Sequence, residues 1–164
     1  MEFKSSVIDS LAHEVEICKH LYTKIPEGQM GFRLGEGMRS TLDLLRYLTF
    51  GPLFPAYGMI KDDWKGAQEI ADHSKKMAAE DFPAQMDRQM ETLRQLINGL
   101  EDEDLDREVN LPWGAQGALG PLLVNLTVKF MTAYRMQLFL QAKASGATQL
   151  NTMNNWAGRD TPST

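Results

Sequence analysis

A single cysteine, Cys18, stands among 164 residues. A disulfide framework and a cysteine-rich zinc site are thereby excluded. No apolar run approaches the roughly 18–20 residues that a membrane-spanning helix needs. The first residues, MEFKSSVIDSL, mix charge and polarity where a secretory leader would be apolar. The expectation is a soluble, cytoplasmic protein with no membrane association. Basic residues are also few: 17 Lys and Arg stand against 22 Asp and Glu, for a net charge of −5. That balance argues against nucleic acid as a partner, which requires a basic face. There is no Gly-rich phosphate loop after a strand pattern, no Gly-x-Ser-x-Gly elbow, and no histidine at helical spacing from Cys18. Strand alternation, internal repeats and low-complexity tracts are lacking as well.

What is present is helical. With 43% hydrophobic and 24% charged residues the composition is globular, and the length suits one domain of roughly 150 residues. From Ser5 to Lys24 the apolar residues Val7, Ile8, Leu11, Val15, Cys18, Leu21 and Tyr22 repeat at the spacing of one helix face. Pro26 and Gly28 stop that helix. A Gly-rich stretch without apolar period reads as a long crossover. Ser40 and Asp43 resemble a capping box that opens a second helix, which Gly51 and Pro52 should kink. A short helix is expected around Gly66–Lys75. Pro83 suits the first turn of a third long helix with a stripe of Met86, Met90, Leu93, Ile97 and Leu100. The last helix runs from about Leu119 to Ser145, with Gly146 as its cap. Helices near 4–25, 40–60, 83–100 and 118–145 predict an all-α four-helix bundle with long crossover connections over residues 1–146, followed by a tail over 147–164.

The fourth helix is apolar on two sides. At 100° per residue, Leu119, Leu123, Leu126, Phe130, Tyr134, Gln137 and Gln141 share one face, and Val124, Val128, Met131, Arg135 and Phe139 share the other. A second subunit or the C-terminal tail must cover the outer face. The favoured expectation is a homodimer through Val124, Val128, Met131, Arg135 and Phe139, joined by Ile17 between His13 and His20 on the first helix.

Three segments resemble the DinB-like (YfiT-like, damage-inducible) superfamily of four-helix bundles. They are LYTKIPEGQMGFRLGEGMRS, then Ser40-x-x-Asp43-Leu44-Leu45-x-Tyr47-Leu48, and Ala133-Tyr134-Arg135-Met136-Gln137-Leu138. The resemblance covers roughly residues 3–146. It implies a bundle in which three histidines, one from the second helix and two spaced by four on the last, bind a divalent metal. The corresponding positions here are Tyr47, Phe130 and Tyr134. Phenylalanine cannot ligate, and neutral tyrosine is a poor ligand with a pKa near 10. The expectation is therefore no metal and no cofactor.

Nor do other residues rebuild the centre. His13 and His20 lie about 10.5 Å apart along a helix, and His73 falls in a polar connection. Glu14 and Cys18 sit at the edge of the core stripe, where Cys18 reads as a small buried hydrophobe. Asp62 and Asp63 read as a solvated turn, the run Glu101–Asp106 as an acidic loop, and the ten methionines as core filler. What remains is a degenerate pocket of Tyr47, Phe130, Tyr134 and Gln137, able to take a small ligand through a few polar contacts unless the rings simply fill the core. The alternative is a metal-independent enzyme of the superfamily's thiol-transferase type, with Tyr47 or Tyr134 acting on a thiol and Arg135 offering charge.

Overall fold

The structure, a computed structural model, describes residues 2–162. Its frame is α1 (Glu2–Tyr22), α2 (Thr41–Leu48), α3 (Leu53–Lys61), α4 (Trp64–Ser74), α5 (Phe82–Asn98), α6 (Leu119–Leu123), α7 (Lys129–Ala144) and α8 (Thr152–Ala157). The four long members of the bundle are α1, the broken pair α2–α3, α5, and α6–α7. α1 packs on both α5 and α7, while α2 closes the bundle against α7 and α3 leans on α5. Leu11, Leu21, Leu44, Leu48, Phe82 and Leu93 are among the fully buried side chains of this core. The all-α bundle and its long crossovers are as the periodicity predicts.

Local chemistry accounts for the breaks. Ser40 caps α2, its Oγ accepting from the Asp43 amide at 3.1 Å. Pro52 has no N–H to give, and the chain resumes as α3 at Leu53. Asp62 is the one described non-glycine residue in the left-handed region, with φ 51°. Asp63 caps α4 by accepting from the Gly66 amide at 2.8 Å. The adjacent acids are therefore a helix junction. Glu101 and Asp104 likewise cap a short 3-10 turn.

Three features depart from the sequence reading. A two-stranded hairpin, β1 (Glu108–Asn110) with β2 (Gln116–Ala118), flanks the Pro-Trp-Gly turn. Strands of three residues are too short to leave a period. A π turn at Val124–Val128 joins α6 to α7. One extra residue in a turn rotates everything downstream by about 100°. The buried stripe therefore runs through Leu123, Thr127, Met131, Arg135 and Leu138, while Phe130, Tyr134 and Gln137 are half-buried.

The third departure is the tail. Gly146, at φ 132°, reverses the chain after α7, and Leu150 is buried at 1% exposure. α8 then lies across α1 and α7. Arg135 donates to the Asn155 backbone oxygen at 2.8 Å and to its Oδ1 at 2.7 Å. On the other side Arg135 Nε donates to Glu14 at 2.7 Å. Gly158, at φ 60°, rests on the Ile17 backbone, where a Cβ would come within 3.2 Å of Ile17 Cα. Met131, Arg135 and Ile17, expected at a contact between subunits, are thus buried within one chain. Val124, Val128 and Phe139 are half-buried. The chain's own tail meets Arg135 and Ile17 of the face for which a second copy is expected, so less apolar surface is left bare there than the sequence suggests.

His13 and His20 belong to this latch. His13 Nε2 lies 3.0 Å from the Trp156 carbonyl. His20 Nε2 lies 3.1 Å from Asn154 Nδ2 and 3.7 Å from Asp160, which also pairs with Lys24 at 2.6 Å. Burial first, and Lys24 second, hold His20 below its usual value of 6.5, with Asp160 opposing. The unfolded chain therefore takes up this proton more readily than the folded one. Stability falls as the pH drops through the range just below 6.5. Limited proteolysis at pH 7.5 and 5.5 should show faster cleavage near residues 147–160 at the lower pH. His20→Gln should flatten that dependence, and an unchanged dependence would assign it elsewhere. Asp160, held low mainly by Lys24, acts in a separate window below its own usual value of 3.8.

Candidate functional site

Tyr47 on α2 and Phe130 and Tyr134 on α7 meet at one end of the bundle. Their ring centroids are 4.9 Å apart for Tyr47–Phe130, 4.8 Å for Tyr47–Tyr134 and 4.5 Å for Phe130–Tyr134. Edge and tilted contacts of this kind are favourable beyond the area they bury. Phe50 adds a fourth ring, 5.4 Å from Tyr47. The spacing of four that would let two histidines share an ion instead packs Phe130 on Tyr134. Gln137 does not join the cluster. With Tyr134, Met38 and Arg39 it lines a separate cavity of about 480 Å³.

The helix break serves this packing. A Cβ on Gly51 would overlap the Phe130 ring, so glycine is required there by close approach. Gly51→Ala is expected to cost about 1–3 kcal/mol by overpacking, read as a lower thermal midpoint, and Phe130→Leu in the same background should recover part of it. An unchanged midpoint would mean that the ring does not lie on the break.

Beside the cluster opens a cleft of about 470 Å³ lined by Arg39, Asp43, Arg46, Tyr47, Phe50, Phe54, Gln68, Ala71 and Lys75. Its charge runs against that of the whole chain, with three cations and one carboxylate. Arg39 Cζ lies 3.8 Å over the Tyr47 ring. Arg46 donates from Nε to the Met77 carbonyl at 2.9 Å and lies 3.7 Å from Asp43. Lys75 pairs with Asp72 at 2.9 Å. Arg39, Arg46, Lys75, Phe50 and Phe54 were not singled out in the sequence. Arg39 sits in a stretch without periodicity. Phe50 and Phe54 were legible through their positions three and seven residues after Tyr47, on its helix face.

The Tyr47 hydroxyl is held above the usual tyrosine range, first by burial and then by the charge and hydrogen bonding of Tyr134, with Arg39 opposing. At neutral pH it is a proton donor and not a base. Burial likewise pushes the Cys18 thiol well up, and Glu14 adds to it against Arg135. Cys18 is therefore no ready nucleophile.

A three-histidine metal centre does not fit these residues. Two phenols and a phenyl ring, packed against one another, supply no imidazole and leave no shared ion position. Among the described residues no three His, Cys, Asp or Glu side chains converge as a metal site. No described helix is long and apolar enough to cross a membrane.

No family model and no curated protein matches the sequence. Among solved structures, the chain is similar to a DinB-like protein, YjoA, from Bacillus subtilis. The two are 18% identical with a TM-score of 0.68, over 89% of this chain and 96% of that one. Taken with the helix order and the bundle packing, that likeness shows that the chain has the DinB-like four-helix fold.

Proposed function

We propose that this protein binds a small organic molecule beside the aromatic cluster and does so without a metal. The observation that carries the reading is the pairing of a packed Tyr47–Phe130–Tyr134 wall with an open cleft of about 470 Å³ immediately alongside. Concave, partly apolar sites of roughly 300–1,000 Å³ with a few fixed polar groups are typical of small-molecule recognition. Here Tyr47, Phe50 and Phe54 give the apolar surface, and Arg39, Arg46, Lys75 and the Tyr47 hydroxyl give the polar contacts.

The thiol-transferase alternative has less support. Tyr47 is held in its protonated form, and Arg135 is committed to Glu14 and Asn155 on another side of α7. Neither can activate a thiol at neutral pH.

The test is a thermal-shift panel of small aromatic acids, alcohols and amides, run with and without EDTA. A ligand at about 100 times its Kd adds roughly 2.7 kcal/mol, a rise of several degrees. At least one member should stabilise the protein equally in both conditions, and Tyr47→Ala should abolish the shift. The reading fails if no organic compound shifts the midpoint while zinc or nickel does.

A further inference from the structure

The helical ridge that walls the cleft has a second side of different chemistry. Tyr47, Phe50 and Phe54 follow at intervals of three and four, and the Phe54 amide bonds the Phe50 carbonyl at 2.8 Å across the break, so the three rings form one ridge. The cationic cleft lies against this ridge. So does an adjoining cavity of about 250 Å³, completed by Gly51, Pro55, Trp113, Leu126 and Phe130. That cavity has no charged side chain in its wall.

Two residues beside these cavities remain exposed to solvent. Trp113, in the hairpin turn, touches Trp64 edge-on with centroids 5.8 Å apart yet remains 54% exposed. Its ring borders the uncharged cavity, where it is available to a second ring. Arg39 lies over Tyr47 and, among the described residues, makes no ion pair, whereas Arg46 and Lys75 face Asp43 and Asp72. A free guanidinium presents a planar fork suited to a carboxylate.

We propose that the composite cleft binds an aromatic organic acid, its carboxylate held by Arg39 with Arg46 behind it, and its ring laid over the Tyr47–Phe50–Phe54 ridge beside Trp113. This rests on the ligand-binding reading above and names the class of ligand. Charge complementarity selects the anion: the cleft is cationic in a chain of net charge −5. The uncharged aromatic cavity selects the body, since ring faces and edges favour another ring. A neutral aromatic would gain the second contact and forgo the first. A small inorganic anion would gain the first and leave Trp113 bare.

The experiment titrates the isotope-labelled chain with 4-phenylbutyrate and with its uncharged counterpart 4-phenylbutyramide, following backbone amides and the Trp113 indole by NMR. The acid should perturb Arg39, Tyr47, Phe50 and Trp113 and bind about tenfold more tightly than the amide, as expected for one charge-assisted contact. Added salt should weaken the acid alone. Arg39→Gln should remove the acid's tenfold advantage over the amide. Trp113→Ala should weaken both. Equal binding of acid and amide, indifferent to Arg39→Gln, would overturn the anionic class and leave the ligand-binding reading standing. Failure of both compounds to perturb any cleft residue would overturn the aromatic-acid class, and the thermal-shift panel then decides the ligand-binding reading.

Discussion

Replacing Arg135 by methionine is expected to destabilise this protein by about 3–5 kcal/mol, the cost of leaving a buried charge without its partner. Glu14 is 8% exposed and accepts from Arg135 Nε at 2.7 Å and from the Thr132 hydroxyl at 3.1 Å. Truncating the guanidinium also cuts its two bonds to Asn155, which hold α8 on the bundle. For a chain of this size the thermal midpoint should fall by roughly 10 °C or more. The tail should become a protease target, and Cys18, fully buried in the intact chain, should react faster with a thiol reagent. Pairing Arg135→Met with Glu14→Leu should restore most of the loss, because a buried ion pair can be replaced by apolar residues at little net cost. A loss under about 1 kcal/mol would mean that the pair is solvated and that the tail does not cover it.

The second large effect is a gain. Tyr47→His, Phe130→His and Tyr134→His together should turn a site that offers no imidazole into one that binds zinc or nickel at micromolar Kd or tighter, about 8 kcal/mol of new binding energy. The three side chains already converge, with ring centroids 4.5–4.9 Å apart. Phe130→His with Tyr134→His alone should bind more weakly, since two imidazoles at i and i+4 supply two ligands instead of three. Calorimetry on the two variants gives the order. Equal and negligible affinity in both would contradict the assignment of these positions to the superfamily's metal centre.

How much of this was legible depended on the length of the signal. Long stripes such as Val7–Leu21 and Met86–Leu100 predicted α1 and α5 within a few residues, because many side chains vote on one face. The Gly51–Pro52 break and the Ser40 cap were legible because each follows from one residue's own chemistry. The π turn was not. Nothing in Val124–Val128 distinguishes i→i+5 from i→i+4 hydrogen bonding, and the unbroken α period places Met131 and Arg135 outside when they are buried. The tail was legible only as the second candidate to cover the outer face, for a related reason. α8 has only six residues, three of them polar, and its attachment relies on Asn154 and Gly158 meeting α1 residues more than a hundred positions away and on Asn155 meeting Arg135 of α7. At the site, the aromatic trio was found through the resemblance. The cationic cleft came from the assembly of a loop arginine, a helix arginine and Lys75, which no spacing connects.

Metal content of the untagged protein tests the central claim most directly. The account predicts zinc and nickel far below one ion per chain by elemental analysis, before and after dialysis against either metal and then buffer, because Tyr47, Phe130 and Tyr134 offer no ligand set. Close to one zinc or nickel ion per chain, retained through dialysis and lost in Tyr47→Phe with Tyr134→Phe, would contradict it.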